Sequence, residues 1–509
     1  VNHISRRSAI RILGGTTATV AAGRHLPAFG QTPAAGRIES LAIDMVGAPD
    51  YLDPALARST RDWSIVHSIF DSIAHLSDSG EIVPLAAETI TQIDDLTLEV
   101  TLREGLLFHD GSPVRSDAIR RGIEWVQASE GPAVNNFKVI SSVEEVDDHT
   151  ARIVTSAPAA WLLSQLAVWH VLFPQSMTSE TFTSAPVGSG PYRYVSGSAG
   201  SDIVLEANPD YSWPSPKGVP LADQVTYRFV PESVTRIADI STGQADIVQE
   251  VPIDQFSAVG NAGATVIETP ILGLAMLRIS TDVAPFDDPR VCQAVNHAID
   301  VETIAQALVS KEAHRIASLF PEERGIGFDP DLVPFAYDPD KARGLLAEAG
   351  VGDGFDLEIQ FVTSEREDIV SAISEQLADV GITVTLVSTD LATFNSQWKE
   401  PAAPPVRFVS WRPMFDPHTL LSLLFLSSGP LSRYNNPAAD EVILAAAADT
   451  NPESRAEQYR ELGRLMQEQP GAVYLWNLAA AYGVDERASA WTPRADDYLI
   501  ATSAKGGIS

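Results

Sequence analysis

From Leu96 to Arg103 the chain alternates apolar and polar residues one by one, with Leu96, Leu98, Val100 and Leu102 set against Thr97, Glu99, Thr101 and Arg103. A period of two predicts a strand with one buried face, and His109-Asp-Gly111 beyond it reads as a solvated turn. Elsewhere the period becomes helical. Asp288-Pro289 supplies an N-cap and a first-turn proline before Val291, Ala294, Val295, Ala298 and Ile299 on one face. Asp338-Pro339 does the same before Ala342, Leu345, Leu346 and Ala349, closed by Gly350. Val234, Ile237 and Ile240 share helical spacing and stop at Gly243, ahead of a strand over residues 245–249. Short strands interleaved with capped helices, without heptads, repeats or a long linker, predict an α/β fold with antiparallel elements mixed in.

A chain of 509 residues exceeds what one hydrophobic core organises, so two or three domains are expected. The N-terminus stands apart from them. Arg6-Arg7 precedes a weakly apolar run from Ile12 to Ala22 and a small-residue site at Ala28-Phe-Gly30, the order found in a twin-arginine export signal. The run is shorter than the roughly 20 residues a membrane-spanning helix needs, so residues 1–30 are set aside as a leader. Cys292 is the single cysteine, which excludes a disulfide framework and a lipid anchor near the mature N-terminus. The formal charge is −32, and removing the leader's four arginines leaves −36. Such a surface repels polyanions and argues against nucleic acid as a partner.

Catalytic signatures are missing from the sequence: there is no Gly-x-Ser-x-Gly elbow, His-Glu-x-x-His, Cys-x-x-Cys or Walker-type loop. Val187-Gly-Ser-Gly-Pro-Tyr192 superficially suggests a phosphate loop. Its proline follows the second glycine directly and a strand, not a helix, comes next, so it reads as the start of a strand.

The stretch from Asp71 to Glu88, continuing through Leu96 to Gly111, resembles a signature of the peptide/nickel/opine class of solute-binding proteins of ABC importers, bacterial solute-binding protein family 5. The Gly-x-Gly-Pro-Tyr segment and the helix–glycine–acidic strand around Gly243 are similar to further landmarks, so the likeness extends from about Asp53 to Trp476. It implies a periplasmic-binding-protein-like two-lobed fold with a hinge and an extra inserted domain. Residues 31–50, 187–270 and 478–509 would form a discontinuous lobe I, 51–186 the inserted domain II and 271–477 lobe II. The function it implies is capture of a small peptide-like or opine-like amino compound in the periplasm, by a monomer without cofactor or catalysis, and delivery to an inner-membrane ABC permease. Capture of a nickel or other metal chelate, a ligand-presenting sensory role and a secreted hydrolase stand as alternatives.

The resemblance also places the site. Arg407 to Leu420 follows a strand and should line the cleft, with Trp411 as an apolar wall, Arg412 as a carboxylate clamp and Phe415 beside them. Peptide-binding relatives carry an ammonium-gripping Asp where this chain has Met414, so Asp416 becomes the candidate ammonium partner. Nickel-binding relatives share the Asp-Pro-His pattern and use its histidine on the metal, which makes His418 a candidate metal contact or, equally, a turn cap. Trp169 and His170 stand where those relatives place an arginine, and Trp476 and Asn477 where the chain crosses back through the hinge.

Overall fold

Ile271-Leu-Gly-Leu-Ala-Met-Leu277 and Ala472-Val-Tyr-Leu-Trp476 are unbroken apolar runs, the pattern of strands buried on both faces. The computed structural model, which describes residues 37–503 apart from 78–80, 199, 212, 322–324, 364–365 and 413, pairs them antiparallel at the middle of a ten-stranded sheet. The leader read at residues 1–30 lies outside the described residues. Strands Thr265–Ile279 and Ala472–Val484 are the two long ones. Their first part pairs Thr265 to Pro270 with Ala479 to Val484, their second pairs Leu274 to Arg278 with Ala472 to Asn477, and the register shifts between Pro270 and Leu274.

On one side of this pair the sheet continues through Val406–Trp411, Phe355–Val362 and Ile382–Thr389; on the other it continues through Ile247–Val248, Ile38–Met45, Ala222–Phe229, Asp202–Ala207 and Tyr192–Ser198. Each side has its own cores. Val291, Val295, Ile359 and Phe408 belong to one core on the first side, Leu274, Leu421 and Tyr459 to another, and Ile43, Phe70, Tyr192 and Tyr227 build that of the second. A separate four-stranded antiparallel sheet, from Ala87–Asp94 to Thr150–Thr155, packs on helix Asp117–Gln127 around Val100, Ile119 and Ile153.

The sequence-level elements are found with instructive differences. Thr97–Leu102 buries Leu98, Val100 and Leu102 as the alternation predicts, whereas Leu96 precedes the strand and is exposed. The helices Pro289–Ala298 and Pro339–Glu348 start at Asp288 and Asp338, whose carboxylates accept from Arg290 and Lys341 backbone N–H groups. In helix Ser233–Ser241 Ile237 and Ile240 are buried while Val234 faces solvent.

His109 is not a free turn residue. Its backbone N–H donates to the Gly188 carbonyl at 2.8 Å, its Nδ1 accepts from the Gly188 N–H at 3.3 Å and its Nε2 meets the Gly190 carbonyl at 3.1 Å. Burial pushes its pKa down to about 4, which keeps the ring neutral for this role. The glycines it clasps exist for close packing, since a Cβ at Gly188 would lie 2.2 Å from the Ile69 carbonyl oxygen and one at Gly190 2.7 Å from it. Beneath that loop lies Asp71, the first residue of the family-like signature. Lys217 donates from Nζ to its carboxylate at 2.8 Å and to the His67 and Phe70 carbonyls at 2.8 and 2.7 Å, ending helix Thr60–Ile69 on a buried cation.

Gly188→Ala is therefore expected to cost about 1–3 kcal/mol by overpacking, read as a lower urea midpoint at unchanged slope. A midpoint equal to wild type would show that the loop does not press on Ile69.

Candidate ligand cleft

Two segments meet where the strand Val406–Trp411 ends. From one side comes the loop that leads into helix Pro417–Leu424; from the other come helix Thr60–Ile69 and the end of helix Leu162–Val168. Between them lies a cavity of about 290 Å³ walled by Trp63, Trp169, Trp411 and Phe415. Trp63 and Trp169 meet edge to face, ring centroids 4.7 Å apart, and His67 stacks on Tyr498 behind them. Arg58, Arg412 and Asp416 supply the charges at its lining, Asn135, Asn136 and Gln165 the amides. A second cavity, of about 490 Å³, shares Phe415 and Asp416 but is otherwise largely apolar, with Leu272, Phe320, Ile326 and Met414.

Trp169, Trp411, Arg412, Phe415 and Asp416 thus converge as the sequence predicts, and Met414 borders the neighbouring cavity. Their charges are differently arranged. Asp416 is the N-cap of helix Pro417–Leu424, accepting from the His418 N–H at 2.8 Å, and Arg455 grips both its oxygens at 2.7 and 2.8 Å. Their side chains are only 8% and 6% exposed. The carboxylate is already neutralised, which leaves it little capacity for a ligand ammonium. Arg412 likewise reaches Asp497 at 3.3 Å and Glu250 at 3.6 Å. Burial raises the Asp497 pKa to about 6 against the pull of Arg412.

His418 lines neither cavity. Its ring stacks on Trp161 at 4.8 Å, 9° from parallel, while Gln165 donates to Thr419 at 3.3 Å and the Ala160 N–H to the Ala447 carbonyl at 3.1 Å. This is a seam between two parts of the chain, and burial holds the imidazole down at about 4, so it is neutral there. Among the described residues no group of three or more His, Cys, Asp or Glu is arranged to hold a metal.

Three expected site residues lie outside the lining of that cavity. His170 is fully buried, with Nε2 donating to the Ile119 carbonyl at 3.1 Å, away from the cavity. Trp476, 2% exposed, packs against Phe408 and, with Arg412, lines a further cavity of about 440 Å³. Asn477 ties down a loop, accepting from the His314 N–H at 2.7 Å and donating to the Glu312 carbonyl at 2.9 Å. Conversely, Arg58 and Trp63 line the cavity without having been singled out. Arg58 is exposed; its backbone N–H donates to the Asp62 carboxylate at 2.7 Å, while its guanidinium lies over the Tyr51 ring at 5.4 Å and has no carboxylate partner among the described residues.

An aromatic-walled cavity between parts of the chain that two long strands join is the architecture of a protein that takes up a solute. Residues 81–431 match the model of bacterial extracellular solute-binding proteins, family 5 (middle region), and the chain belongs to that family, a solute-binding and not a catalytic one. It is a substrate-binding protein of the ABC-importer type, as the resemblance of its signature implied. Among curated relatives, the glutathione-binding protein GsiB of Salmonella typhi is 25% identical over 431 residues, 81% of this chain and 83% of the relative. Among solved structures, the ABC transporter substrate-binding protein CtaP of Listeria monocytogenes superposes with a TM-score of 0.81 at 22% identity, covering 92% of this chain and 99% of that one. The periplasmic binding protein DppA of Helicobacter pylori, in complex with the peptide STSA, does so with 0.75 at 20% identity, covering 92% and 98%. The fold is accordingly the two-lobed one of periplasmic binding proteins. No helix among the described residues is long and apolar enough to cross a membrane.

Because Asp416 and Arg455 are both buried, Asp416→Ala strands a guanidinium and is expected to cost about 3–5 kcal/mol of stability without any ligand present. Thermal or urea unfolding of the ligand-free variant measures this. A variant as stable as wild type that only lost ligand affinity would restore the carboxylate to ligand binding.

Proposed function

We propose that this protein captures a small peptide-like or opine-like amino compound in the cavity between Trp63, Trp169, Trp411 and Phe415 and delivers it to an inner-membrane ABC permease. It acts in the periplasm, exported by the twin-arginine leader, as a monomer without cofactor or catalytic step. The lobes are those bounded at residues 31–50, 187–270 and 478–509 against 271–477, with 51–186 inserted. Ligand bound to one lobe gives contacts that favour the closed form, and its differential affinity sets the population shift.

The observation that carries this reading is the division of charge in the cavity. Arg58 is a cation without a carboxylate partner among the described residues, whereas the acid at the lining, Asp416, is already committed to Arg455. A ligand carboxylate is met by Arg58. A ligand amine is met by the faces of the indole rings, whose quadrupoles attract cations, and not by an acid. That suits a compound whose amine is substituted or partly solvated. The glutathione-binding relatives and the peptide-bound DppA support an amino compound as cargo.

Native mass spectrometry of protein exported to a periplasm and purified without dialysis should release such a compound. Titrated with it, Arg58→Gln and Trp411→Ala should each bind at least about tenfold more weakly, a loss of about 1.4 kcal/mol. Stoichiometric metal with an organic chelator, or unchanged affinity in both variants, would contradict the proposal.

A further inference from the structure

Away from the cleft, the first-side half of the sheet contains two cations that the protein does not balance. Arg278 and Arg407 stand directly opposite one another on the antiparallel strands Thr265–Ile279 and Val406–Trp411, so their side chains leave the same face of the sheet. Arg278 is 0% and Arg407 1% exposed. A guanidinium cannot escape burial by losing its proton, isolating one from water costs several kcal/mol, and a like charge directly opposite adds repulsion. Burial, followed by the charges of Arg407 and Arg433, pushes Arg278 down to about 9, and burial brings Arg407 to about 10.

Some of their donors are satisfied. Arg278 donates from Nη1 to Ser280 Oγ at 2.8 Å and from Nη2 to the Leu431 and Trp398 carbonyls at 3.0 and 3.4 Å; Arg407 donates from Nη2 to the Phe394 carbonyl. The Phe394 and Trp398 rings lie 3.9 and 4.1 Å from the Arg407 guanidinium carbon, and Trp398 lies 5.4 Å from that of Arg278. These faces offset part of the charge. Arg278 Nε and Arg407 Nε and Nη1 are buried with no hydrogen-bond partner among the described residues.

Scarcity of acids does not explain this, because the chain has 67 Asp and Glu against 35 Lys and Arg. Among the described residues no carboxylate pairs with either arginine. Asp282, the acid acting on Arg278, is held by a third cation, Arg433, at 3.1 Å to both oxygens. On the adjoining parallel strand Gln360, opposite Arg407, is 0% exposed; it donates to Gln397 at 2.6 Å and Thr389 at 3.3 Å, and its Oε1 has no partner among the described residues.

We infer that a single halide ion of the chloride type is bound between Arg278 and Arg407, accepting from their unpartnered N–H groups. A halide supplies one negative charge shared between the two guanidiniums, the aromatic faces offsetting part of the rest, and it accepts from any direction. A water there would satisfy the donors and leave the charge unopposed, whereas a halide satisfies the donors and opposes the charge. The ion joins the two strands four residues before Trp411, so it also steadies the strand that presents this residue to the cleft.

The test uses the full chain. Crystals grown with sodium bromide in place of chloride should show one anomalous bromine peak between the two guanidiniums. The melting temperature, measured at constant ionic strength with gluconate as the replacement anion, should rise by roughly 1–2 °C for each tenfold increase in halide once the site begins to fill. Arg407→Met should abolish both the peak and the halide dependence, and in gluconate it should be at least as stable as wild type. A water in place of the bromine peak, or a halide response that persists in Arg407→Met, would overturn the inference. If Arg407→Met does not fold, the bromine peak in the wild-type protein decides.

Discussion

The backbone of Leu272 is where the parts of this protein are tied together. It falls in the register shift between Pro270 and Leu274, where the two long strands leave one pairing and take up another. Its N–H donates to the Ala495 carbonyl at 2.7 Å, and its carbonyl accepts from the Met414 N–H at 3.0 Å. One residue's backbone therefore holds the returning C-terminal segment and the cleft loop to the long strand Thr265–Ile279. The next residue must be glycine, because a Cβ at Gly273 would lie 2.7 Å from the Trp411 carbonyl oxygen. A break in the ladder frees these backbone groups for other partners, and here they position the loop that carries Met414, Phe415 and Asp416.

Around that loop the chain spends its interior charges on geometry. Asp416 with Arg455, Asp71 with Lys217 and Arg494 with Asp496 are all buried pairs. Such pairs contribute little net stability over apolar residues, but removing one partner is costly, so they fix an arrangement more than they strengthen it. The Asp416–Arg455 pair fixes the start of helix Pro417–Leu424 against Pro452–Glu468. The start of that helix, one residue beyond the cavity-wall ring of Phe415, is thereby held by a salt bridge, and Arg58 lines the same cavity.

Much of the scaffold was legible because local chemistry dictates it. Asp288-Pro289 and Asp338-Pro339 start helices as their capping chemistry requires. Asp416-Pro417 carries the same signal, and Asn436-Pro437 and Asn451-Pro452 are variants of it. Read consistently, that signal assigns Asp416 to a cap before it assigns it to a ligand. Arg455, 39 residues away on another helix, could not be foreseen as its partner. Arg58 and Trp63 escaped notice because nothing in the spacing of Arg58-Ser-Thr-Arg-Asp-Trp63 reveals which face of the helix turns toward Trp169. His170 was misplaced for a related reason, since adjacent residues at a helix end point in different directions and only Trp169 faces the cavity.

The central claim is that the cleft recognises its cargo with aromatic faces and Arg58 and not with a carboxylate. A crystal structure of the protein with the compound it carries out of the periplasm tests this most directly. The ligand is expected between Trp63, Trp169, Trp411 and Phe415, with a carboxylate on Arg58 and the Asp416–Arg455 pair intact. A ligand ammonium seated on Asp416 with Arg455 displaced, or a ligand bound elsewhere, would contradict it.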